Sequence, residues 1–165
     1  MFGLDVIQQL LPHRPPFLMV ESVVAYTGGD TPLLNAEQSI RRTEPLIEGT
    51  ESSWCWPAVY VIEGLGQSCI LLNLIGAMEQ RYIDEGLDSE SIIDALNSMQ
   101  TNRHDHSADM ISAYFEGGVM QNLSRIGLLA SVDIEVKGQV KAGGLLSYEV
   151  HRTHVFQGMA RFSVR

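Results

Sequence analysis

One carboxylate, Glu63, interrupts a long apolar segment and is the side chain in this sequence with the clearest potential for chemistry. From Ala58 to Met78 it is the only charged residue. A lone carboxylate in apolar surroundings is costly unless it is paired or protonated, and a protonated carboxyl suits general acid/base chemistry. Gln67 follows one helical turn later, so its amide would reach the carboxylate or a ligand. Glu63 also lies near the predicted start of a helix, where the helix dipole favours negative charge, and a capping role therefore stays open.

The segment that carries both side chains is typical of a buried helix. Pro57 precedes it, and proline is favoured at the first helical position. A helix that is apolar nearly all round is a core helix. Its uncharged part, from Gly64 to Met78, is too short and too polar to span a bilayer, so we expect no membrane insertion.

Sheet signals flank this helix on both sides. A short helix is predicted over 4–11 and an amphipathic helix over 89–99. Strands are predicted over 17–26, 33–42, 126–137, 146–151 and 159–165, the last two joined by a Gln157-Gly158 turn. The last strand stops without a turn signal, which leaves open whether the chain continues past Arg165. The pattern indicates a single α+β domain over residues 1–165, with an antiparallel sheet against one very apolar helix.

The composition excludes several classes of partner. The chain has 165 residues, of which 45% are hydrophobic and 19% charged, as expected for a soluble domain with its own core. With 11 Lys and Arg against 20 Asp and Glu, the net charge is −9, so we expect neither nucleic acid nor an anionic membrane as partner. Cys55 and Cys69 provide no metal spacing and no disulfide framework, and the N-terminus lacks a signal-peptide pattern. We therefore expect a cytoplasmic protein without metal or cofactor.

Two motifs resemble the β-hydroxyacyl-acyl-carrier-protein dehydratase family. The segment LPHRPPFLMVESV, which begins at Leu11, resembles the family pattern L-P-H-R-x-P-F-L-x-V-D-x-V. The segment PAVYVIEGLGQ, from Pro57 to Gln67, resembles the central-helix pattern P-G-V-x-x-x-E-x-x-x-Q. The motifs occur in the family's order and near its separation, and the resemblance covers residues 5–78 and 127–165.

The resemblance implies a hotdog fold, in which a long antiparallel sheet wraps around the central helix. It also implies a dimer, formed with a second copy or with another hotdog subunit. The activity it implies is removal of water from a β-hydroxyacyl chain on acyl carrier protein, in fatty-acid or polyketide-type biosynthesis. Glu63 then takes the role of the family's catalytic acid/base. Two further groups of site residues are implied: substrate-binding Gln67, Pro57 and Val59, and loop-supporting His13, Arg14 and Phe17.

The sequence departs from the family at the position of its catalytic histidine. The family places this residue in a segment of the type G-H-F-P-G before the central helix, and Gly49 occupies that position here. No histidine occurs between His13 and His104. General acid/base catalysis contributes about 10²–10⁴-fold, so this loss should impair ordinary dehydration. Three functions stay open: a dehydratase with an unorthodox partner for Glu63, a non-catalytic hotdog subunit that binds acyl chains or pairs with an active dehydratase, and an acyl thioesterase.

A second departure is an extra segment over about residues 79–125, predicted to be a helical insert. This insert would cover the tunnel that holds the acyl chain, or form a surface that binds a partner protein. His104 and His106 lie in a polar loop of this insert, where a solvated loop is favoured over a metal site or a substitute base.

Overall fold

The protein is described by a computed structural model that covers residues 2–41, 54–88, 91–100 and 131–165. Gly49, His104 and His106 therefore lie outside the described residues. In chain order the elements are α1 Leu4–Leu10, β1 Ser22–Thr27, β2 Leu33–Ser39, β3 Cys55–Trp56, α2 Ala58–Asp84, α3 Ser91–Gln100, β4 Val140–Lys141, β5 Leu145–Phe156 and β6 Met159–Val164.

Four of the strands form one antiparallel sheet in the order β1-β2-β5-β6. The central pairing, β2 with β5, runs from Leu33 opposite His151 to Ser39 opposite Leu145. The predicted Gln157-Gly158 turn joins β5 to β6, and both of its residues have positive φ angles, 48° and 79°. A tight hairpin with a right-handed twist requires this conformation. Strands β3 and β4 form a separate two-stranded sheet.

Helix α2 packs on the four-stranded sheet, mainly against β5 and β2. Its 27 residues make it the longest helix in the described part of the chain. Its core-facing side chains include Leu65, Leu71, Leu72, Leu74, Ile75 and Met78, which share one cluster with Leu34, Ala36, Tyr148 and Val150 of the sheet. The architecture is α+β, with a long central helix against an antiparallel sheet, and is consistent with a hotdog fold.

The apolar composition of α2 follows from this packing. By length and composition, α2 alone among the described helices meets the criteria for a membrane span. However, 44% of its most apolar window is buried inside the protein. The helix is therefore the partly buried core helix, as the sequence predicts.

A close approach between helix and sheet occurs at Gly64. A Cβ atom at this position would overlap the phenol of Tyr148, whereas one at Gly66 would meet open space. Tyr148 is buried, and this burial raises the pKa of its hydroxyl, so the phenol is neutral. The missing side chain of Gly64 thus sets how closely α2 lies against β5.

Polar pairs connect the second half of α2 to the sheet. Tyr26 on β1 donates a hydrogen bond of 2.7 Å from its hydroxyl to Glu79 Oε2. Burial, together with this bond to a carboxylate, raises the pKa of Tyr26. Arg152 on β5 donates to Asn73 Oδ1 over 3.3 Å. These bonds fix the rotation of the helix about its axis as well as its distance from the sheet.

Most predicted elements are present, but several bounds differ: β2 ends at Ser39 rather than at residue 42, and β5 continues to Phe156 rather than ending at residue 151. Helix α2 continues from Met78 to Asp84 because exposed side-chain pairs one turn apart stabilise its polar end, among them Arg81 with Glu85 at 3.0 Å. Residues 79–84 of the predicted insert thus belong to α2. Strand β1 starts at Ser22 rather than at residue 17, because Phe17 and Met19 hydrogen-bond to the Gln67 side chain of α2 instead of to a strand.

The predicted strand over 126–137 is not formed in its described part, residues 131–137. Apart from Ile134, the side chains there are exposed, and no strand among the described residues pairs with this segment. Without ladder hydrogen bonds, β-branched residues alone do not make a strand. The predicted helix of the insert is present as α3, and residues 101–125 lie outside the described part.

We predict that Gly64→Ala is less stable than Gly66→Ala by about 1–3 kcal/mol in urea-induced unfolding, the usual cost of overpacking. Both substitutions stabilise the helix equally, by about 1 kcal/mol, because alanine has a higher helix propensity than glycine. The difference between their free energies of unfolding therefore reports the contact with Tyr148. Equal stabilities would show that α2 does not approach β5 as described.

Candidate active site

Glu63 lies in the second turn of α2, on the side of the helix that faces away from the sheet. Its side chain is 47% exposed, so the predicted burial of this carboxylate is wrong for the single chain. Even a very apolar helix has one side that faces away from its sheet. A charged side chain is favoured on that side because burying it would remove its hydration, which costs free energy. The capping alternative is not supported either, because the helix dipole acts mainly within the first turn.

Gln67 holds the carboxylate of Glu63. Its side-chain nitrogen donates to Glu63 Oε1 at 2.9 Å and to the carbonyl of Phe17 at 2.8 Å. Its oxygen accepts from the backbone N–H of Met19 at 2.8 Å. The residue is only 1% exposed. Both amide hydrogens are therefore used within the chain, and the side chain joins α2 to the segment that precedes β1.

His13 lies beside the same carboxylate. Its Nε2 atom is 3.5 Å from Glu63 Oε1, and its side chain is 29% exposed. Its other ring nitrogen, Nδ1, is buried and has no hydrogen-bond partner among the described residues. Arg14 stabilises the backbone around it by donating to the carbonyls of Leu11 and His13, at 2.8 and 2.7 Å. The structure thus brings a carboxylate, an imidazole and an amide to one turn of α2.

Exposed apolar side chains adjoin this group. Val59 lies one turn before Glu63 on α2 and is 61% exposed, and Phe17, whose carbonyl bonds to Gln67, is 60% exposed. Pro57 occupies the N-cap of the helix. An apolar surface beside a polar cluster is typical of a site that binds an apolar ligand through a few polar contacts.

Cys69 adds no activated nucleophile to this arrangement. Cys69, also on α2, is largely buried, and burial raises the pKa of its thiol to about 12. It is therefore protonated near neutral pH, and the thiolate is the reactive form. Among the described residues, no group of three or more His, Cys, Asp and Glu side chains is arranged to hold a metal ion. What this cluster can do is donate and accept protons.

Comparison with known proteins finds similarity to dehydratases over part of the chain. No protein-family model matches the chain. The chain is 38% identical over 82 residues to 3-hydroxyacyl-acyl-carrier-protein dehydratase FabZ of an Anaeromyxobacter species. The aligned region covers 49% of this chain and 51% of that protein. Over about half of its length, this chain is a distant homologue of the FabZ dehydratases.

Other FabZ proteins show a similar extent of identity. The chain is 40% identical over 85 residues to the Anaeromyxobacter dehalogenans protein, covering 50% of this chain and 53% of that one. It is 36% identical over 80 residues to the Nitratiruptor protein, covering 47% and 53%. The chain spans about half the length of the curated relatives it matches.

The sequence indicated Glu63 and Gln67 as neighbours but missed the contact between Glu63 and His13. His13 was expected only to support the loop, together with Arg14 and Phe17. The two ends of the contact are 50 positions apart in the chain, so no local spacing reveals it. The signal that could have revealed the contact is that His13 lies in the first family-like motif and Glu63 in the second.

We predict that Gln67→Leu lowers the free energy of unfolding by about 2–3 kcal/mol. Leucine fills a similar volume but leaves the buried N–H of Met19 and the partly buried carbonyl of Phe17 without their side-chain partner, and an unpaired buried group costs about 1–3 kcal/mol. Gln80→Leu, at an exposed position of the same helix, should change stability by less than about 0.5 kcal/mol. Urea denaturation followed by circular dichroism measures both, and equal effects would contradict the assigned hydrogen bonds.

Proposed function

We propose that this protein is a β-hydroxyacyl-acyl-carrier-protein dehydratase-like enzyme of fatty-acid or polyketide-type biosynthesis, with Glu63 as acid/base. The observation that carries the proposal is the position of Glu63. Gln67 holds this carboxylate at 2.9 Å on the exposed side of the central helix, beside apolar side chains. The homology to FabZ dehydratases over half of the chain supports the same activity.

The proposed reaction is an elimination of water. A base removes the proton on the carbon next to the thioester, the carbon–carbon double bond forms, and the carbon–oxygen bond of the β-hydroxyl breaks. Protonated Glu63 donates its proton to the departing hydroxyl, which leaves as water. Hydrogen bonding from Gln67 restricts the carboxyl to one orientation, and such positioning of a reacting group is a main source of rate enhancement.

The apolar side chains beside Glu63 are the proposed contacts of the acyl chain. Val59 and Phe17 are large and exposed, and burial of each by a ligand is favourable by about 1.5–3 kcal/mol. Pro57, at the helix N-cap, would shape the entrance to this surface. Gln67 would act on the substrate through Glu63, since its own N–H groups bond within the chain.

The proposed partners are acyl carrier protein, as donor of the substrate, and a second hotdog subunit of the same or another kind. A subunit placed over the exposed side of α2 would cover part of Val59 and Phe17. The cytoplasm stays the expected location.

A second candidate function is a non-catalytic subunit that binds acyl chains or pairs with an active dehydratase. The observation that favours it is Gly49, which stands where the resemblance places the family's histidine. Such a subunit would show no activity alone and would restore or raise the activity of a partner. An acyl thioesterase, the third possibility, would release a free carrier thiol instead of water.

The decisive experiment is mass spectrometry of β-hydroxyacyl-acyl carrier protein after incubation with the purified chain. We expect loss of one water with the wild-type protein, and a rate lower by about 10²–10⁴-fold with Glu63→Gln. Glu85→Gln, an equivalent change at the exposed end of α2, should retain wild-type activity.

Two other outcomes would refute the dehydratase. An unchanged substrate would indicate the non-catalytic subunit, and addition of a second hotdog protein would then test for restored activity. A free carrier thiol, measured with a thiol reagent and absent with Glu63→Gln, would indicate the thioesterase.

A further inference from the structure

We propose that His13 is the second proton-transfer group of this site and forms, with Glu63 of the same chain, a complete acid/base pair. This inference rests on the proposed dehydratase function and assigns to it the base that removes the substrate's α-proton. It differs from the expectation that His13 only supports a loop.

His13 and Glu63 lie close enough together to act on one substrate. His13 Nε2 faces Glu63 Oε1 at 3.5 Å, and both side chains keep access to solvent, at 29% and 47% exposure. A substrate placed against the exposed side of α2 therefore meets both groups at once. A general base must come within hydrogen-bond reach of the proton that it removes, and the α-proton and the β-hydroxyl oxygen of one substrate are on adjacent carbons and so lie close together.

The carboxylate of Glu63 and the backbone that carries the imidazole of His13 are each held by hydrogen bonds. The backbone carbonyl of His13 accepts a hydrogen bond of 2.7 Å from Arg14, and Glu63 accepts one of 2.9 Å from Gln67. Gln67 also holds the segment after His13 through Phe17 and Met19. Such supporting contacts are what keep a catalytic pair in position.

A comparison inside the protein shows what sets this pair apart. His151 Nε2 is also 3.5 Å from a carboxylate, that of Glu149. Glu149, however, lies on the sheet and is paired with the guanidinium of Arg165 at 3.0 Å. Among the described residues, the imidazole of His13 is the only cation-forming group paired with Glu63. Unlike Glu149, which Arg165 also contacts, Glu63 has no permanently charged neighbour among the described residues that would compete with His13 for its carboxylate.

The pair also returns to its starting state after each turnover. Neutral His13 takes the α-proton through Nε2 while protonated Glu63 gives its proton to the departing hydroxyl. One carbon–hydrogen and one carbon–oxygen bond break, and a double bond and a water molecule form. His13 is left protonated and Glu63 ionised, and transfer of one proton from Nε2 to Oε1 restores both. No external acid, base or cofactor is needed for the balance.

Chemical rescue tests the assignment. We expect His13→Ala to lower the rate of dehydration of β-hydroxyacyl-acyl carrier protein by about 10²–10⁴-fold. Free imidazole, added in the millimolar range, should restore part of this rate by entering the space that the side chain leaves. It should not restore Glu63→Gln. His151→Ala is the matched control and should keep the wild-type rate with or without imidazole.

His13→Gln serves as a second variant if His13→Ala does not fold by circular dichroism, because glutamine keeps a polar group of similar size but cannot take up the proton. Each outcome of this experiment either supports or overturns the assignment of His13. Loss of rate in the folded variant, with rescue of the alanine form, supports the assignment. A folded His13 variant within about threefold of the wild-type rate, or a loss that imidazole does not repair, overturns it while leaving the dehydratase intact. A wild-type protein without dehydratase activity instead refutes the proposed function itself.

Discussion

The buried amide of Gln67 is the interaction on which the rest of the site depends. An amide that is 1% exposed must have its hydrogen-bonding groups satisfied, because an unpaired buried polar group costs about 1–3 kcal/mol. Its partners are two backbone groups, at Phe17 and Met19, and the carboxylate of Glu63. This requirement fixes the segment before β1 onto one turn of α2. His13, a few residues earlier in that segment, is thereby placed beside Glu63.

The rigid elements around this contact hold it in place. The close approach at Gly64 sets the distance between α2 and β5, since any side chain there would overlap Tyr148. The hydrogen bond from Tyr26 to Glu79 fixes the same helix farther along its axis. Glu63 precedes Gly64 on α2 and is 47% exposed, whereas Gln67, one turn later, is 1% exposed.

The sequence predicted the parts of this protein that local pattern determines. Period-two alternation located β5, the Gln157-Gly158 pair located its turn, and apolar composition located α2. Burial of Glu63 was predicted wrongly because composition shows how apolar a helix is but not which side meets the sheet. For residues 131–137, the described part of the predicted strand over 126–137, the prediction was wrong because a strand needs a partner, and propensity alone carries no information on pairing. The approach of His13 to Glu63 depends on tertiary contacts, which only the folded chain shows.

His13 and Glu63 are both partly exposed in the single chain, so a bound substrate would change the surroundings of both side chains. Two opposite charges about 4 Å apart attract by about 1 kcal/mol in water and by about 4 kcal/mol at the effective dielectric constant near a protein surface. An acyl chain lying over Val59 and Phe17 would displace water from the neighbourhood of Glu63 and His13. It would thereby strengthen the attraction within the ion pair that elimination leaves behind. In this arrangement the apolar part of the substrate supplies both binding energy and the dry surroundings in which proton transfer between the two side chains is most effective.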